Sequence, residues 1–459
     1  MPATLASSLK DSGLVVEASY INGEWVQSES RHTFEVRNPA TGEVIGKCPE
    51  SSPHDLENAI QSASKAFQTW RAVPGRQRGR ILRRWFDLIV ANKEDIGKII
   101  TAENGKAKAD AEGEALFSAG FFEWFSEEAP RIYGDVAPHS GPSGRIQILK
   151  QPVGVCGLIT PWNFPMAMGA RKVAAALAAG CTVVLKSDGL TPFSSNALAV
   201  LGQRAGVPPG VFNVVTSLTT TPELGLAMCL SDAVRKISFT GSTRVGKLLM
   251  RQSSDTLKKL SLELGGNAPF IVFDDADVEV AVAAALISKF KVTGQTCVCA
   301  NRMFVQEGIY DRFSRRLVEE VAKFRVGDGG RDASVTHGPL TTGVAKTEEH
   351  VRDAVDKKAT VLLGGERLQD LGPNFFSLTV LGDVDDSMKV MSEETFGPLA
   401  ALAKFKTEDE VVRRANSVEV GLASYVMTSD LGRYYRVSER LECGMVAVNT
   451  GVISDPAAP

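Results

Sequence analysis

Residues 153–250 contain the pattern that decides the fold, four short apolar runs that alternate with amphipathic helices. The runs are GVCGLIT (154–160), CTVVLK (181–186), VFNVVT (211–216) and RKISFT (235–240), and the helices begin near Pro165, Pro192, Pro222 and Thr243. Strand, helix, strand in this order is typical of parallel strands joined by crossover helices. The stretch therefore predicts a doubly wound parallel sheet of the α/β class, in which ligands bind where the strands end.

The same alternation restarts after Gly265 and predicts a second α/β unit. Its elements are APFIVF (268–273), a helix over 278–290, RMFVQ (302–306), a helix over 310–324, ATVLLGG (359–365) and MVAVN (445–449). Before residue 131, apolar residues repeat at i, i+3 and i+4, which predicts helices over 55–72 and 76–100 with Ser51 and Ser52 available as caps. The turn-rich segment 136–144 breaks this periodicity and indicates an excursion between domains.

Composition excludes several classes of protein. The 459 residues carry a net charge of −3 and no run of lysine or arginine, so nucleic acid is not an expected partner. The apolar segments 173–185 and 280–287 are shorter than the roughly 18 residues that a membrane span needs, and the N-terminus has no apolar signal core. We therefore expect a cytoplasmic protein without a membrane partner. Seven scattered cysteines do not form a secreted disulfide framework, and the pair at 297 and 299 lacks zinc-site spacing, so no metal is expected.

The clearest chemistry lies between residues 262 and 299, in LELGGNAPF and KVTGQTCVC. An acid, Glu263, stands at one end and the thiols of Cys297 and Cys299 at the other, with glycines close to each. A thiol nucleophile needs an exposed thiolate and a proton acceptor, and with no histidine in the stretch Glu263 is the local acceptor. Alternatively, Cys297 is a small buried apolar residue and Glu263 a solvated charge. Spacing alone leaves both interpretations open.

Four other features have both a functional and a structural interpretation. The turn FTGSTRVG (239–246) suits a pyrophosphate at a helix N-terminus, and the prolines of TPWNFP (160–165) fix an amide as an oxyanion hole requires. Lys186 closes a strand beside the expected crevice, and SEETFGP (392–398) places two acids and an aromatic before a Gly-Pro stop. Taken singly, each is equally compatible with an ordinary turn or a solvated charge.

Together and in this order, these motifs resemble the aldehyde dehydrogenase superfamily, and within it the succinate-semialdehyde dehydrogenases. The likeness rests on LELGGNAPFIVFDDAD, GQTCVCANR, WNFP, FTGSTRVG, EETFGP and VNTGVIS, with compatible spacing from about Tyr20 to the last residue. It implies an aldehyde dehydrogenase-like fold with a dinucleotide-binding domain of residues 1–131 and 150–263. An oligomerisation excursion of residues 132–149 and a catalytic domain of residues 264–459 complete it. The resemblance favours the nucleophile interpretation of the thiol.

Roles in catalysis follow from the resemblance by position. Cys297 matches the family's nucleophile, Glu263 its general base, Asn163 its oxyanion-hole amide and Lys172 a supporting lysine. The cofactor is NADP or NAD, and its expected contacts are Trp162, Asn163, Lys186, Ser187, Gly189, Gly241, Ser242, Leu264, Glu394 and Phe396. Cys299 matches a thiol that can capture oxidised Cys297 as a strained disulfide, which makes a redox switch.

The resemblance also implies the substrate. Succinate semialdehyde, an intermediate of GABA degradation, is held in the relatives by its far carboxylate, and the matching positions are Arg171, Lys291 and Ser454. Two cations in one pocket favour an aldehyde that carries an anion, because a neutral one leaves those charges unpaired. Lysine at 291 offers a point charge where arginine offers a planar fork, so we expect weaker binding of the carboxylate that also admits glutarate semialdehyde.

The resemblance also implies a homo-oligomer, either a dimer or a tetramer.

Two departures from the family pattern bear on these expectations. The sequence KSDG (186–189) lacks both the proline and the ribose-binding side chain that commonly follow this lysine, so we expect NADP to be used at least as well as NAD. The family's glycine-rich tail is absent after Pro459. This absence motivates an alternative function, that of a catalytically impaired member of the fold with a structural or regulatory role.

Overall fold

A computed structural model describes residues 5–457 of the chain. The first sheet has the order β11-β10-β7-β8-β9-β1-β2, in which β1 runs antiparallel to both of its neighbours, β9 and β2, and the other pairs are parallel. The strands of this part of the chain are β1 Ser19–Ile21, β2 Glu24–Val26, β3 Thr33–Arg37, β4 Val44–Pro49, β5 Asp135–Pro138, β6 Arg145–Ile148, β7 Val155–Ile159, β8 Thr182–Lys186, β9 Phe212–Val215, β10 Val234–Thr240 and β11 Lys259–Glu263.

Helices cover both faces of this sheet, because a parallel sheet whose side chains are buried on both faces needs a helical layer on each side. The helices are α1 Pro53–Trp70, α2 Gly75–Ala91, α3 Lys93–Asn104, α4 Lys108–Glu128, α5 Ala167–Ala179, α6 Pro192–Ala205, α7 Thr221–Leu230 and α8 Thr243–Gln252. On one face Leu158 and Leu185 pack with α2, α4, α5 and α6. On the other, Ile159 and Val184 pack with α1, α7 and α8. The sheet is therefore doubly wound.

The second sheet has the order β14-β15-β16-β13-β12-β17-β18 and is parallel except for β14. Its strands are β12 Ala268–Val272, β13 Ala300–Gln306, β14 Thr360–Leu363, β15 Thr379–Gly382, β16 Leu399–Phe405, β17 Ala423–Met427 and β18 Met445–Val448. Its helices are α9 Val278–Phe290, α10 Tyr310–Val321, α11 Val344–Asp356, α12 Lys389–Ser392, α13 Glu408–Ala415 and α14 Leu431–Ser438. The predicted fold class is confirmed, with two parallel-sheet units.

The single helix predicted over 76–100 is wrong, because the chain breaks into α2 and α3 at Asn92. The Asn92 backbone leaves helical geometry with φ −106° and ψ 13°, and its side-chain Nδ2 donates to the Leu88 carbonyl at 2.8 Å. An asparagine that bonds local backbone in this way competes with the helix. The cap predicted at Ser52 does form, with a reciprocal bond between Ser52 and Asp55.

Two smaller features complete the fold. Strands β3 and β4 pair as a hairpin, and so do β5 and β6, which stand between the helical region and β7. All four residues of β6 are exposed. Within residues 5–457, no helix is long and apolar enough to cross a membrane.

A buried arginine ties the second sheet to the segment that follows Glu263. Arg302 on β13 is 1% exposed, and its guanidinium donates to the Asn267 carbonyl at 2.8 Å. It also donates to the Arg414 and Ala415 carbonyls at 3.0 and 2.8 Å, at the C-terminus of α13. Both helix carbonyls lie in the last turn of α13, where the helix dipole favours a cation, and the Arg414 carbonyl also accepts from the Ser417 hydroxyl at 2.8 Å.

We expect Arg302→Lys to lower the free energy of unfolding by about 2 kcal/mol, because one ammonium cannot reach three carbonyls that a planar fork satisfies together. Thermal and urea unfolding, followed by tryptophan fluorescence, measure the change. Arg312→Lys, at an exposed position of α10, is the matched control and should shift stability by under about 0.5 kcal/mol. Equal unfolding midpoints for the two variants would show that the three hydrogen bonds of Arg302 do not stabilise the protein in this way.

Candidate active site

The carboxyl edge of the first sheet gathers the residues that the sequence analysis singled out there. The parallel registers pair Ile159 with Lys186, Ile159 with Phe239, and Thr240 with Glu263. Lys186, Glu263 and the loop that follows Ile159 therefore lie along one edge. In a doubly wound sheet this edge is where ligands bind.

The WNFP loop crosses from this edge to the second unit. Asn163 is buried, and its Nδ2 donates to the Gln295 carbonyl at 2.9 Å, two residues before Cys297. The Trp162 ring meets the Phe396 ring edge-on, with the centroids 5.5 Å apart. The loop predicted to hold an oxyanion-hole amide is thus joined to the thiol segment.

The segment before the thiol has an unusual backbone. Val292 and Thr293, neither of them glycine, have φ angles of +55° and +54°, a left-handed conformation that costs a β-branched residue energy. The backbone N–H of Val292 donates to Asp110 Oδ2 at 3.0 Å, and the Thr293 hydroxyl donates to the Gly338 carbonyl at 3.0 Å. These partners from elsewhere in the chain hold the thiol loop in its strained shape.

Cys297 is half-buried at the end of this loop. Burial raises the pKa of its thiol to about 11, with a further rise from the Glu394 carboxylate, while the Arg171 guanidinium opposes both. The backbone passes close to the acid-bearing segment, since a Cβ at Gly266 would lie 2.5 Å from the Cys297 carbonyl oxygen. Only glycine therefore fits at 266. The thiol is mostly protonated at neutral pH in the protein without ligand.

Two cations of α5 lie in the same charge cluster. Lys172 is buried and donates to the Ser238 hydroxyl at 3.0 Å. Burial lowers the pKa of Lys172 to about 7, with Arg171 adding to the fall and Glu263 opposing it. The Arg171 guanidinium lies 5.0 Å from the centre of the Phe121 ring, and burial lowers its pKa while Glu263 and Cys297 oppose the change. Glu263 itself is exposed, so water can reach this carboxylate.

Glu394 joins the site from the second unit. Burial raises the pKa of its carboxyl to about 7, opposed first by a hydrogen bond from the Gly266 N–H at 3.3 Å. Its neighbour Phe396 has a φ of +56°, which turns the chain so that its ring reaches Trp162. A carboxylate and an aromatic ring thereby face the carboxyl edge of the first sheet.

The crevice beside Lys186 has polar groups suited to a nucleotide. Lys186 and Ser187 are buried, and the Ser187 hydroxyl has no hydrogen-bond partner among the described residues. Burial raises the pKa of Asp188, opposed first by Lys186, and its Oδ1 accepts from the Leu190 N–H at 2.9 Å. A Cβ at Gly189 would lie 2.6 Å from the Ser217 carbonyl oxygen, so this position takes no side chain.

On the other side of the crevice, Gly241 and Ser242 precede α8. The Gly241 N–H donates to the Glu263 carbonyl at 3.0 Å, and the Ser242 side chain caps the helix by accepting from the Val245 N–H at 3.4 Å. Leu264 lies against Gly246 of the same helix. An orphaned buried hydroxyl, a lysine and a helix N-terminus fit a dinucleotide phosphate group.

Three predicted residues are tied less closely to this cluster. The Lys291 side chain is exposed, and Ser454 is half-buried near the end of the described chain. Cys299 is buried, and its Sγ donates to the Lys289 carbonyl at 3.2 Å. Their roles stay predictions.

Sequence reasoning missed the residues that support the site, chiefly Asn104, Asp110, Glu114 and Gln295. Asn104, Asp110 and Glu114 lie in helices that carry no motif, whereas Gln295 lies inside the thiol motif. Their contacts across the site join residues 46 to 237 positions apart, such as Gln295 with Thr341 and Asn104 with Thr341. Nothing in the local sequence marks these distant contacts.

The chain is similar to known proteins over almost its whole length. A sequence profile described as "Aldehyde dehydrogenase family" matches residues 25–459. The chain is similar to the glutarate-semialdehyde dehydrogenase of Pseudomonas putida, with 51% identity over 98% of this chain and 93% of the relative. It is also similar to the succinate-semialdehyde dehydrogenase [NADP(+)] of Escherichia coli, with 50% identity over the same shares. The crystal structure of succinate-semialdehyde dehydrogenase from Burkholderia pseudomallei superposes with a TM-score of 0.96, at 50% identity over 98% of this chain and 93% of that one.

The raised pKa of Cys297 predicts how fast its thiol reacts when no cofactor is bound. We expect the rate of alkylation by iodoacetamide to rise about tenfold per pH unit between roughly pH 7 and 10, because the thiolate fraction rises by that factor below the pKa. Mass spectrometry of the peptide that carries Cys297 measures the rate. Glu394→Gln should speed alkylation at pH 8, since it removes a charge that disfavours the thiolate.

Glu393→Gln is the control, because Glu393 is exposed and pairs with His350. A rate that levels off below pH 9, or equal rates in the two glutamine variants, would show that the thiol is not suppressed in this way.

Proposed function

The chain belongs to the aldehyde dehydrogenase family, and we propose that it oxidises succinate semialdehyde, or a closely related acid semialdehyde, to the dicarboxylic acid with NADP or NAD. Membership of the family makes it an oxidoreductase. The observation that carries the proposal is the hydrogen bond from Asn163 Nδ2 to the Gln295 carbonyl, which brings the amide within two residues of the thiol. A nucleophile and a donor for the charge it creates thus come from two separate units.

The proposed reaction begins at Cys297. Its thiolate adds to the aldehyde carbonyl, a C–S bond forms and the carbonyl oxygen becomes an oxyanion. The Asn163 amide and the Cys297 backbone N–H are the proposed donors to this oxyanion. A fixed donor of this kind lowers the barrier by about 3 kcal/mol. Arg171 assists by stabilising the thiolate, since its charge opposes the rise of the Cys297 pKa.

NADP or NAD, when bound, supplies the hydride acceptor for the oxidation. The residues proposed to hold it are Lys186, Ser187 and the N-terminus of α8 at the phosphate end, with Trp162 and Leu264 alongside. Glu394 and Phe396 are the proposed contacts to the nicotinamide ribose. The unpaired Ser187 hydroxyl supports this assignment, because a buried hydroxyl without a partner costs energy unless a ligand satisfies it.

Glu263 is the proposed base that opens the thioester. It removes a proton from water, and the hydroxide adds to the acyl carbon and expels the Cys297 thiolate. Its exposure gives it access to water, and its charge lies close enough to Lys172 to oppose the fall of the Lys172 pKa. With a pKa near 7, Lys172 can take up or release a proton at physiological pH, which supports its proposed role beside Glu263.

The substrate assignment rests on Arg171, Lys291 and Ser454. The Phe121 ring beneath Arg171 fixes the direction of the guanidinium, and a planar fork held in place favours bidentate contact with a carboxylate. One relative is named as a succinate-semialdehyde dehydrogenase and another as a glutarate-semialdehyde dehydrogenase, with 50% and 51% sequence identity. Both names support an aldehyde that carries a carboxylate, with either chain length.

We propose two further properties of the same protein. Cys299 is the resolving thiol of a redox switch with Cys297. The hairpin β5–β6 is an oligomer contact, because Tyr133, Val136 and Leu149 expose 68%, 71% and 69% of their surface around it. Apolar side chains exposed this closely together mark an interface. A cytoplasmic location stays a prediction.

The test of the proposed function compares succinate semialdehyde with butanal by NADPH formation. Wild type should prefer the acid semialdehyde by at least about a hundredfold in kcat/KM, because only the acid semialdehyde carries a carboxylate that can pair with the Arg171 guanidinium. Arg171→Ala should lose most of that preference. Cys297→Ala should form no NADPH while it binds the dinucleotide with unchanged affinity, measured by fluorescence titration.

Arg251→Ala, at an exposed position on α8, serves as the matched arginine control. If wild type does not prefer the acid semialdehyde, or Arg171→Ala keeps the preference, the substrate assignment fails while the dehydrogenase chemistry stands. Turnover by Cys297→Ala would place the nucleophile elsewhere.

A second prediction concerns the cofactor. We expect kcat/KM with NADP to equal or exceed that with NAD, because Gly189 presents no carboxylate to repel a 2′-phosphate. Asp188→Ala should raise the NADP to NAD ratio severalfold at pH 8, since the Asp188 charge lies beside Lys186. Burial raises the Asp188 pKa, so the effect should shrink as the pH falls and the carboxyl becomes protonated.

The control is Asp232→Ala, which removes an exposed carboxylate before β10 at the opposite edge of the sheet. A strong preference for NAD that survives in Asp188→Ala would contradict the prediction.

A further inference from the structure

The end of α3, the turn after it and the first two turns of α4 carry four polar side chains that the proposed reaction does not use. They are Asn104, Lys106, Asp110 and Glu114, here called the bracket. Lys106 and Glu114 form an ion pair with both side chains 0% exposed. Burying two charges costs several kcal/mol per ion and is weak evidence for a gain in stability. Their contacts indicate another purpose.

Glu114 holds the end of the WNFP loop. Its Oε1 accepts from the Met166 and Ala167 N–H groups at 3.0 and 3.1 Å, where α5 begins. Its other oxygen accepts from Lys106. A carboxylate at a helix N-terminus is favoured by the helix dipole. The helix start is thereby fixed three residues after Asn163.

Lys106 and Asn104 hold the residues on either side of Asn163. The Lys106 Nζ lies 3.9 Å from the centre of the Phe164 ring. The Asn104 Nδ2 donates to the Trp162 carbonyl at 3.0 Å. With Glu114, these contacts fix the chain before and after the amide, so the bracket determines where the Asn163 side chain can reach.

The bracket also reaches the thiol loop. Asp110 Oδ2 accepts from the N–H of Val292, the residue with the left-handed backbone. Thr341 exchanges hydrogen bonds with Asn104, at 2.7 and 3.1 Å, and its N–H donates to Gln295 Oε1 at 2.9 Å. Gln295 in turn supplies the carbonyl that Asn163 contacts. The bracket therefore holds both the amide and the loop it faces.

We propose that Asn104, Lys106 and Glu114 are positioning residues that set the Asn163 amide for its donation to the oxyanion. The inference rests on the proposed function, in which Asn163 is that donor. A displacement of about 1 Å at a reacting group can cost a hundredfold in rate. A rigid, fully buried ion pair beside the loop is suited to prevent such a displacement.

The test is a double-mutant cycle of Lys106→Met and Asn163→Ala, read as kcat/KM for succinate semialdehyde. Lys106→Met keeps an apolar stem of similar length and removes the ammonium. In the wild-type background it should lower kcat/KM about tenfold or more, whereas in the Asn163→Ala background it should cost less than about twofold. Alkylation of Cys297 by iodoacetamide should change by less than about twofold, because this reaction does not need the amide.

Lys108→Met is the matched control. Lys108 lies two residues further along the chain, at the start of α4, is exposed, and pairs with Glu112 at 3.8 Å, so its loss should leave both measurements unchanged. Should Lys106→Met fail to fold by circular dichroism, Glu114→Gln takes its place in the cycle, since it keeps the side-chain shape and removes the charge.

Every outcome of this cycle either supports or contradicts the positioning role. Equal losses from Lys106→Met in both backgrounds, full activity of the folded variant, or a matching loss of thiol reactivity would overturn the positioning role and leave the proposed function intact. If Asn163→Ala alone retains wild-type kcat/KM, the oxyanion assignment is wrong and the inference falls with it. A loss confined to the background with Asn163 supports it.

Discussion

One hydrogen bond joins the two halves of the site, from Asn163 Nδ2 in the first unit to the Gln295 carbonyl in the second, at 2.9 Å. A side-chain amide has two N–H groups, so this bond fixes the amide and leaves one donor for a ligand. The thiol lies two residues beyond the acceptor. The proposed nucleophile and the proposed oxyanion donor therefore come together only when both sheets are folded and the bracket links their loops.

The pKa shifts in the site follow from the burial that this contact between the two units produces. Burial raises the pKa of Cys297 and of Glu394 and lowers that of Lys172, so all three depart from their usual ranges in one region. Such clusters of shifted groups are characteristic of catalytic sites. Because Arg171 favours the thiolate and Glu394 opposes it, any ligand that neutralises or moves Glu394 would activate the thiol.

Much of the fold was predictable from the sequence, because the patterns that indicate its strands and helices are local. The four apolar runs between 154 and 240 became β7 to β10, and the helix predicted over 278–290 is α9. The break at Asn92 was not predictable, since the apolar periodicity continues through it and only a side-chain bond to Leu88 ends the helix. The bracket was missed for a related reason. Lys106 and Glu114 look like solvated helix charges until the contacts of Glu114 with residue 166, 52 positions away, bury them.

The central claim, that Cys297 carries the acyl group, is tested most directly by trapping it. Glu263→Gln protein mixed with NADP and succinate semialdehyde should accumulate a thioester, because the base that opens it has been removed. Tandem mass spectrometry of the peptide that contains both thiols should place one succinyl group on Cys297 and none on Cys299. A succinyl group on Cys299, or NADPH formed without any acylated peptide, would contradict the account.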